Sequence, residues 1–243
     1  MYHEFDFPTV SETKRRTVFG NPLLSKCNKD EALFPDPRNP GASDQPSEWG
    51  FTQTKDGTSE TVYCCHPLDL RHLPYTQQTQ PIRGLRTDVP TLIISECCLC
   101  YLEVDNSRDV VRWFADKIPS LGIILYEPIG VDDPFGQMMI ANLAARNIIM
   151  PSLRSYKTLA DQKARLAELA FKRDESGGGQ EAETVEKIWE QWVPAAEKVR
   201  VDGLEGLDEV EEWQMLARHY AIVWGWRGAE GWEGWRGLRD GYE

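Results

Sequence analysis

The chain has no surplus of positive charge. Its 243 residues carry 27 Lys and Arg against 39 Asp and Glu, a net charge of −12, and its pI is near 4.9. Nucleic-acid backbones are bound by a net basic face, so this balance argues against a DNA or RNA partner. No run approaches the roughly 20 apolar residues that cross a bilayer, and mean hydropathy is −0.50. The first residues, Met1-Tyr-His-Glu-Phe-Asp6, have no basic stretch followed by an apolar one, so neither a signal peptide nor a membrane anchor is expected. Histidine is scarce, four in all. With no Gly-x-Ser-x-Gly elbow either, a Ser/His/Asp hydrolase has little to build on. Six cysteines, at 27, 64, 65, 97, 98 and 100, are expected to be reduced thiols of a cytoplasmic protein. Zinc sites usually pair cysteines two to four residues apart in loops. Cys64-Cys65-His66 and Cys97-Cys98-x-Cys100 are instead expected to be small apolar packing groups. No metal is expected; a zinc-binding protein ranks as an alternative below an inactive remnant of an enzyme and above a hydrolase.

What is present is a chain able to bury a core. Apolar residues make up 41%, with nine Trp and eight Phe, enough for one large α/β domain or two small ones. The most informative stretch is Thr91 to Pro128. Thr91-Leu-Ile-Ile-Ser-Glu96 is a short apolar run ending in a carboxylate. Asn106 and Ser107 are candidate caps for a helix in which Val110, Val111, Phe114 and Ile118 recur at helical spacing. Gly122-Ile-Ile-Leu-Tyr-Glu127 is a second buried strand. Together they form a βαβ unit with parallel strands and a right-handed crossover. Ligands of open α/β sheets bind beyond the carboxyl ends of such strands, and Glu96 and Glu127 both stand there.

Around this unit, Tyr2 to Asp6 reads as a strand closed by Pro8, followed by a helix from Thr9 or Ser11 to Val18. Residues 35–60 are rich in Pro, Gly, Ser, Asp and Thr and are expected to form a loop insertion. Thr61 to Cys65 is a further strand. Asp133-Pro134 starts a helix reaching Arg146, and Thr158 caps another reaching Phe171. Glu181 to Trp192 and Asp208 to Ala217 are expected helices, and Tyr220 to Trp226 an alternating strand. Gly225 to Gly241 repeats Gly-Trp and Trp-Arg-Gly pieces; residues 229–243 are expected to be a disordered tail after a single domain spanning 1–228.

Several of these pieces occur together, and in order, in a known family. Phe5-Asp-Phe-Pro8, Leu68-Asp-Leu-Arg71, Thr91-Leu-Ile-Ile-Ser-Glu-Cys97 with Leu99 and Tyr101, Tyr126-Glu127, Phe135-Gly-Gln137 with Asn142-Leu143, and Arg218-His-Tyr220 resemble the leucine carboxyl methyltransferases. The resemblance covers about residues 2–228 outside the insertion. It implies an α/β, Rossmann-like S-adenosylmethionine-dependent methyltransferase sheet of seven strands ending in an antiparallel hairpin, with one strand near Lys198-Val-Arg-Val201. It implies methylation of the carboxyl-terminal leucine of the type 2A protein phosphatase catalytic subunit by a cytoplasmic monomer. The family's first strand and its Gly-rich turn have no counterpart here. Their place would be between the strand ending at Asp6 and that ending at Glu96. The alternative is therefore a truncated, inactive remnant that at most binds the phosphatase.

The resemblance also assigns roles. Asp6 would accept from the ribose hydroxyls, or else cap residues 9–16. Asp69 with Leu70 would hold the adenine, or else Asp69 is a turn acid paired with Arg71. Glu96 would face the ammonium of the methionine portion, or else cap the following helix. Tyr101 would contact the substrate carboxylate, or else serve as a packing aromatic. Glu127 would stand behind the contacting groups, and His219 is expected to be structural. No general base is required, because an α-carboxylate with a pKa near about 3.5 is already ionised at neutral pH.

Overall fold

The computed structural model describes residues 1–25, 48–55, 59–78, 82, 84–173, 177–204, 209–228 and 231–237. The chain divides into two compact units, Met1–Arg86 and Thr87–Glu243.

The first unit contains β1 (Tyr2–Asp6), α1 (Pro8–Gly20), α2 (Pro22–Ser25), β2 (Trp49–Lys55) and β3 (Ser59–Pro67). The sheet order is β1-β3-β2. β1 runs parallel to β3, from Tyr2 opposite Tyr63 to Asp6 opposite Pro67. β2 is antiparallel to β3, with Trp49 opposite Cys65. Pro8 does not merely close β1. It takes the first helical position of α1, with Phe7 as N-cap, where a missing N–H and a fixed φ suit a helix start. Ser11, buried on α1, accepts the Trp49 indole N–H at 3.0 Å and lies 3.2 Å from the Cys65 sulfur. α1 thus covers the sheet face that carries Trp49, Tyr63 and Cys65. β2 corrects the expected loop over 35–60. Trp49 and Phe51, two residues apart, both lie against the Tyr63 ring, at centroid distances of 5.4 and 5.0 Å, and this cross-strand stacking makes a strand of a compositionally loop-like segment. Residues 35–47 and 56–58 of that expectation lie outside the described residues.

The second unit contains β4 (Thr91–Glu96), α3 (Val104–Lys117), β5 (Leu121–Pro128), α4 (Pro134–Ala144), α5 (Leu159–Glu168), β6 (Gly179–Thr184), α6 (Val185–Gln191), α7 (Ala195–Asp202), α8 (Val210–Arg218), β7 (Tyr220–Arg227) and α9 (Glu233–Gly237). The order is β4-β5-β7-β6. β4 and β5 are parallel, as the βαβ pattern requires; β7 is antiparallel to both β5 and β6. The Rossmann-like α/β character rests on these parallel pairs and their helical crossover. Leu121, Ile123 and Leu125 are fully buried. Gly225 shares their face, and a Cβ there would meet Phe171 and Leu166 at 3.0 and 3.1 Å, so α5 lies close on it. The stripe Val110, Val111 and Phe114 of α3 is buried.

Several local expectations are corrected. α3 begins at Val104 with Glu103 as N-cap. Asn106 and Ser107 therefore lie inside the first turn and do not cap it; Ser107 is fully buried. Residues 179–184 form β6 before α6 begins, so the helix expected from Glu181 is shortened. Thr184 ends the strand and caps α6, accepting from Lys187 N–H at 3.2 Å. Lys198 to Val201 is helical within α7, not a strand, because Pro194 opens a helix there. By contrast Asp133 caps α4 through the Gly136 N–H at 2.8 Å. Thr158 caps α5 in a reciprocal box with Asp161.

Within the segment expected as a tail, Trp232 is buried and joins Trp224 and Trp226, with Trp192 and Trp235 packed around them. The Trp232 indole N–H donates to Ser120 Oγ at 3.0 Å. Residues 229–230 and 238–243 lie outside the described residues. Among the described residues, no helix is long and apolar enough to cross a membrane.

Candidate functional site

In the first unit the parallel pair β1–β3 brings Asp6, Asp69 and Leu70 to one end. β1 stops at Asp6, whose backbone carbonyl accepts the Leu68 N–H at 2.8 Å, which ties the loop after β3 to the end of β1. One Asp6 carboxylate oxygen accepts the Phe7 N–H at 2.7 Å. Asp6 does not cap α1, so half of its carboxylate remains for another donor. Asp69 is committed locally. It accepts the Arg71 backbone N–H and the Arg71 Nε–H, each at 3.0 Å, and the guanidinium beside it holds its carboxyl below the usual range. The turn-acid alternative for Asp69 is thus realised in the structure. Leu70, half-buried, opens a 3-10 helix over Leu70–Gln78.

In the second unit Glu96 ends β4, exposed, with no hydrogen-bond or ion-pair partner among the described residues. Its register partner on β5 is Tyr126. Cys97 follows in the left-handed region at φ 42°, anchored by its N–H to the Tyr126 carbonyl at 2.9 Å. A non-glycine residue held there costs about 1–3 kcal/mol and marks a strand end that the surroundings over-determine. The chain then turns through a 3-10 segment, Leu99–Tyr101, which leaves Tyr101 44% exposed beside the strand end. Burial, then the neighbouring Cys100 and Cys97, push the Tyr101 phenol up, so it is a neutral hydrogen-bond donor. Tyr126 stacks on Tyr220 at 5.1 Å. Burial, followed by Cys97, Tyr126 and Tyr101, pushes Tyr220 up to about 12. The Cys97 thiol is lowered by its hydrogen bond from Cys100, whose own thiol is raised. One carboxylate, three phenols and a strained backbone thus surround the carboxyl end of β4 and β5. Sequence reasoning pointed to Glu96 and Tyr101, and the structure places both at this strand end. It named Tyr126 and Tyr220 only within the family resemblance and missed their stacking, which depends on the pairing of β5 with β7.

Glu127 is corrected as a rim residue. One position beyond Tyr126, it turns to the opposite face, is fully buried, and pairs with Arg165 at 2.7 Å. His219 is structural, as expected: its ring bridges the Met215 carbonyl at 2.6 Å and the Asp133 carboxylate at 2.9 Å. A surface hollow of about 610 Å³ lies elsewhere, along Thr9, Val10, Thr13, Lys14, Thr17 and Leu24, and contains none of these acids.

Comparison with known proteins agrees with the pattern of residues. The chain is 37% identical over 244 residues to "Leucine carboxyl methyltransferase 1" of Emericella nidulans, covering 93% of this chain and 58% of that protein. The same name is carried by a protein of Aspergillus fumigatus, 37% identical, with 95% and 59% covered, and by one of Bos taurus, 29% identical, with 93% and 62% covered. The chain therefore spans about three-fifths of the length of these relatives. No protein-family model matches it. Among solved structures, an O-methyltransferase family protein from Burkholderia thailandensis gives a TM-score of 0.43 at 10% identity, covering 94% of this chain and 44% of that one.

Proposed function

The chain is related in sequence to the leucine carboxyl methyltransferases, and from this premise we propose that its protein esterifies the carboxyl-terminal leucine of the type 2A protein phosphatase catalytic subunit, with S-adenosylmethionine as methyl donor, as a cytoplasmic monomer. The observation that carries the proposal is the Glu96 carboxylate, without a partner among the described residues, at the carboxyl end of a parallel strand, followed by the left-handed Cys97 and flanked by phenols.

The residues present suit the donor unequally. Asp6 keeps acceptor capacity for ribose hydroxyls. Leu70 offers apolar cover for the adenine, while Asp69 reaches that ring only if Arg71 yields. Glu96 suits the ammonium of the methionine portion by charge. When bound, the cofactor supplies a methyl group on a sulfonium, an electrophile that needs no activation by the protein. The leucine carboxylate is ionised at neutral pH, so the protein's task is to align and desolvate the two reactants. Tyr101, with its phenol kept protonated, would donate to one carboxylate oxygen and leave the other for attack.

The test is binding of S-adenosylhomocysteine by calorimetry, alongside transfer of labelled methyl to a peptide ending in the phosphatase leucine. Glu96→Ala and Asp6→Ala should each weaken binding by about tenfold or more, as loss of a charged hydrogen-bond partner predicts. Unchanged affinity in both variants would remove the assignment. Peptide binding without ester formation by the wild-type chain would overturn the catalytic proposal in favour of the inactive, phosphatase-binding alternative.

A further inference from the structure

On the face of the first sheet opposite α1, three metal-ligating side chains meet. Parallel pairing sets His3 opposite Cys64 and Phe5 opposite His66, and period-two alternation turns Cys64 and His66 to the same side. Cys64 and His66 are 5% and 2% exposed. The ligand atoms of His3, Cys64 and His66 all lie within 4.8 Å of one another.

The hydrogen bonds around the two rings decide which nitrogens face inward. His66 Nδ1 lies 2.9 Å from a Glu48 carboxylate oxygen. An ionised carboxylate only accepts, so Nδ1 carries the proton and the neutral ring presents a lone pair at Nε2. His3 also makes a hydrogen bond with the backbone at Gly84. Its Nδ1 is directed at His66 Nε2. These two nitrogens are 2.9 Å apart. A proton shared between them is one arrangement that brings them this close. A metal ion uses all three donors.

We propose that His3, Cys64 and His66 form a site for a single zinc-class divalent ion, with Glu48 and the Gly84 backbone orienting the two imidazoles. Zinc–nitrogen and zinc–sulfur distances of about 2.0–2.1 and 2.3 Å place tetrahedral ligand atoms roughly 3.3–3.6 Å apart, so the two nitrogens, now 2.9 Å apart, must separate by roughly 0.4 Å while separations up to 4.8 Å contract by about an ångström. The outer partners match the rule that a ligating histidine gives its other N–H to a carboxylate or a backbone carbonyl. Binding takes the thiol proton, which passes to solvent as the thiolate coordinates. The fourth position is left to water. The ion fastens β1, the edge strand that ends at Asp6, to its neighbour β3. The site stands on residues other than those proposed for methyl transfer, and its test reads metal alone.

The full chain, purified and dialysed, is expected to retain about one zinc per chain by elemental analysis. Cobalt(II) added after chelation should give tetrahedral visible bands and a near-ultraviolet sulfur-to-cobalt band. Cys64→Ser should lose the sulfur band, and Glu48→Ala, at a 38%-exposed side chain, should weaken cobalt affinity by about 10–100-fold. Should Cys64→Ser fail to fold, His3→Phe at the half-exposed edge strand reports instead, by loss of affinity and shifted visible bands. Zinc well below stoichiometry together with no sulfur band in the wild type would overturn the proposal. So would a sulfur band that survives Cys64→Ser, or cobalt affinity and bands unchanged in His3→Phe.

Discussion

Replacing Arg165 with methionine would leave Glu127 charged in the interior with its counter-ion gone. Both side chains are fully buried and meet at 2.7 Å. The guanidinium also reaches Gln162 and Ser107, each at 3.3 Å, and lies over the Tyr156 ring at 4.5 Å. It therefore ties β5, α3 and α5 into one block. What remains near Glu127 is the Gln162 amide at 3.4 Å, while the second carboxylate oxygen has no hydrogen-bond partner among the described residues in either case. Removing one member of a buried pair costs about 3–5 kcal/mol, most of it the uncompensated charge. Against a total of about 5–15 kcal/mol for a domain, that is a large share, and at about 2–4 °C per kcal/mol it lowers the melting temperature by roughly 6–20 °C. Tryptophan fluorescence follows this unit selectively, since eight of the nine tryptophans lie beyond residue 87. Urea and thermal melts of wild type, Arg165→Met and the double variant Glu127→Met/Arg165→Met complete the experiment. The double variant should recover most of the loss, because an apolar replacement of a whole buried pair is often neutral or stabilising. A single variant costing under about 1 kcal/mol, or a double variant no better than the single, would refute the reasoning.

Two further outcomes follow from the α4 start. A Cβ at Gly136 would fall 2.3 Å from the Gly130 carbonyl oxygen and 2.6 Å from Val131 Cα, both backbone atoms that cannot swing aside, so Gly136→Ala should cost at least about 1–3 kcal/mol in chemical denaturation. A loss under about 0.5 kcal/mol would show that the turn at Gly130 relaxes freely. The Gly136 N–H, and to a lesser degree His219, hold the Asp133 carboxyl below its ordinary value. Its stabilising contribution is therefore fully present above the unfolded pKa of about 4 and is lost as pH falls through the lower folded value. Asp133→Asn should flatten the acid limb of a melting-temperature profile below roughly pH 4, and an unchanged limb would place the acid sensitivity elsewhere.

Much of the fold was legible because local chemistry and tertiary context agree where caps and apolar runs are strong. Asp133-Pro134 and Thr158 announced helices that the structure caps through those side chains. The runs at 91–96, 122–127 and 220–226 became strands with nearly the expected limits. The failures share a cause. β6, Gly179-Gln-Glu-Ala-Glu-Thr184, is polar enough to read as the start of a charged helix, and it is a strand because β7 offers its backbone a ladder. Lys198-Val-Arg-Val201 has the β-branched alternation of a strand, yet it follows a Pro N-cap and lies in a helix. Trp49 to Lys55 was hidden by the loop-like composition around it, and its signal was the Trp49 and Phe51 spacing. Trp232, placed in a tail by its glycine-rich neighbourhood, packs so closely over Gly122 that a Cβ there would lie 2.4 Å from its ring.

The same distinction separates the acids from the metal-ligating cluster. A carboxylate at the end of an apolar run declares its position in sequence, because the end of a parallel strand is a place and Glu96 stands on it. Even so, alternation turns Glu127 away from the rim, and Arg71 occupies Asp69, facts that depend on register and on one neighbouring side chain. His3 lies on β1, Cys64 and His66 on β3, and Glu48 just before β2, and no spacing along the chain relates these three segments. Their convergence follows from two pairings, β1 with β3 in parallel and β2 with β3 antiparallel. A shift of either by one residue would send His3 or Glu48 to the other face. The register is held from the opposite side of the sheet, by Trp49 against Ser11 and Tyr63, so the packing that makes the first unit's core is also what aligns the imidazoles.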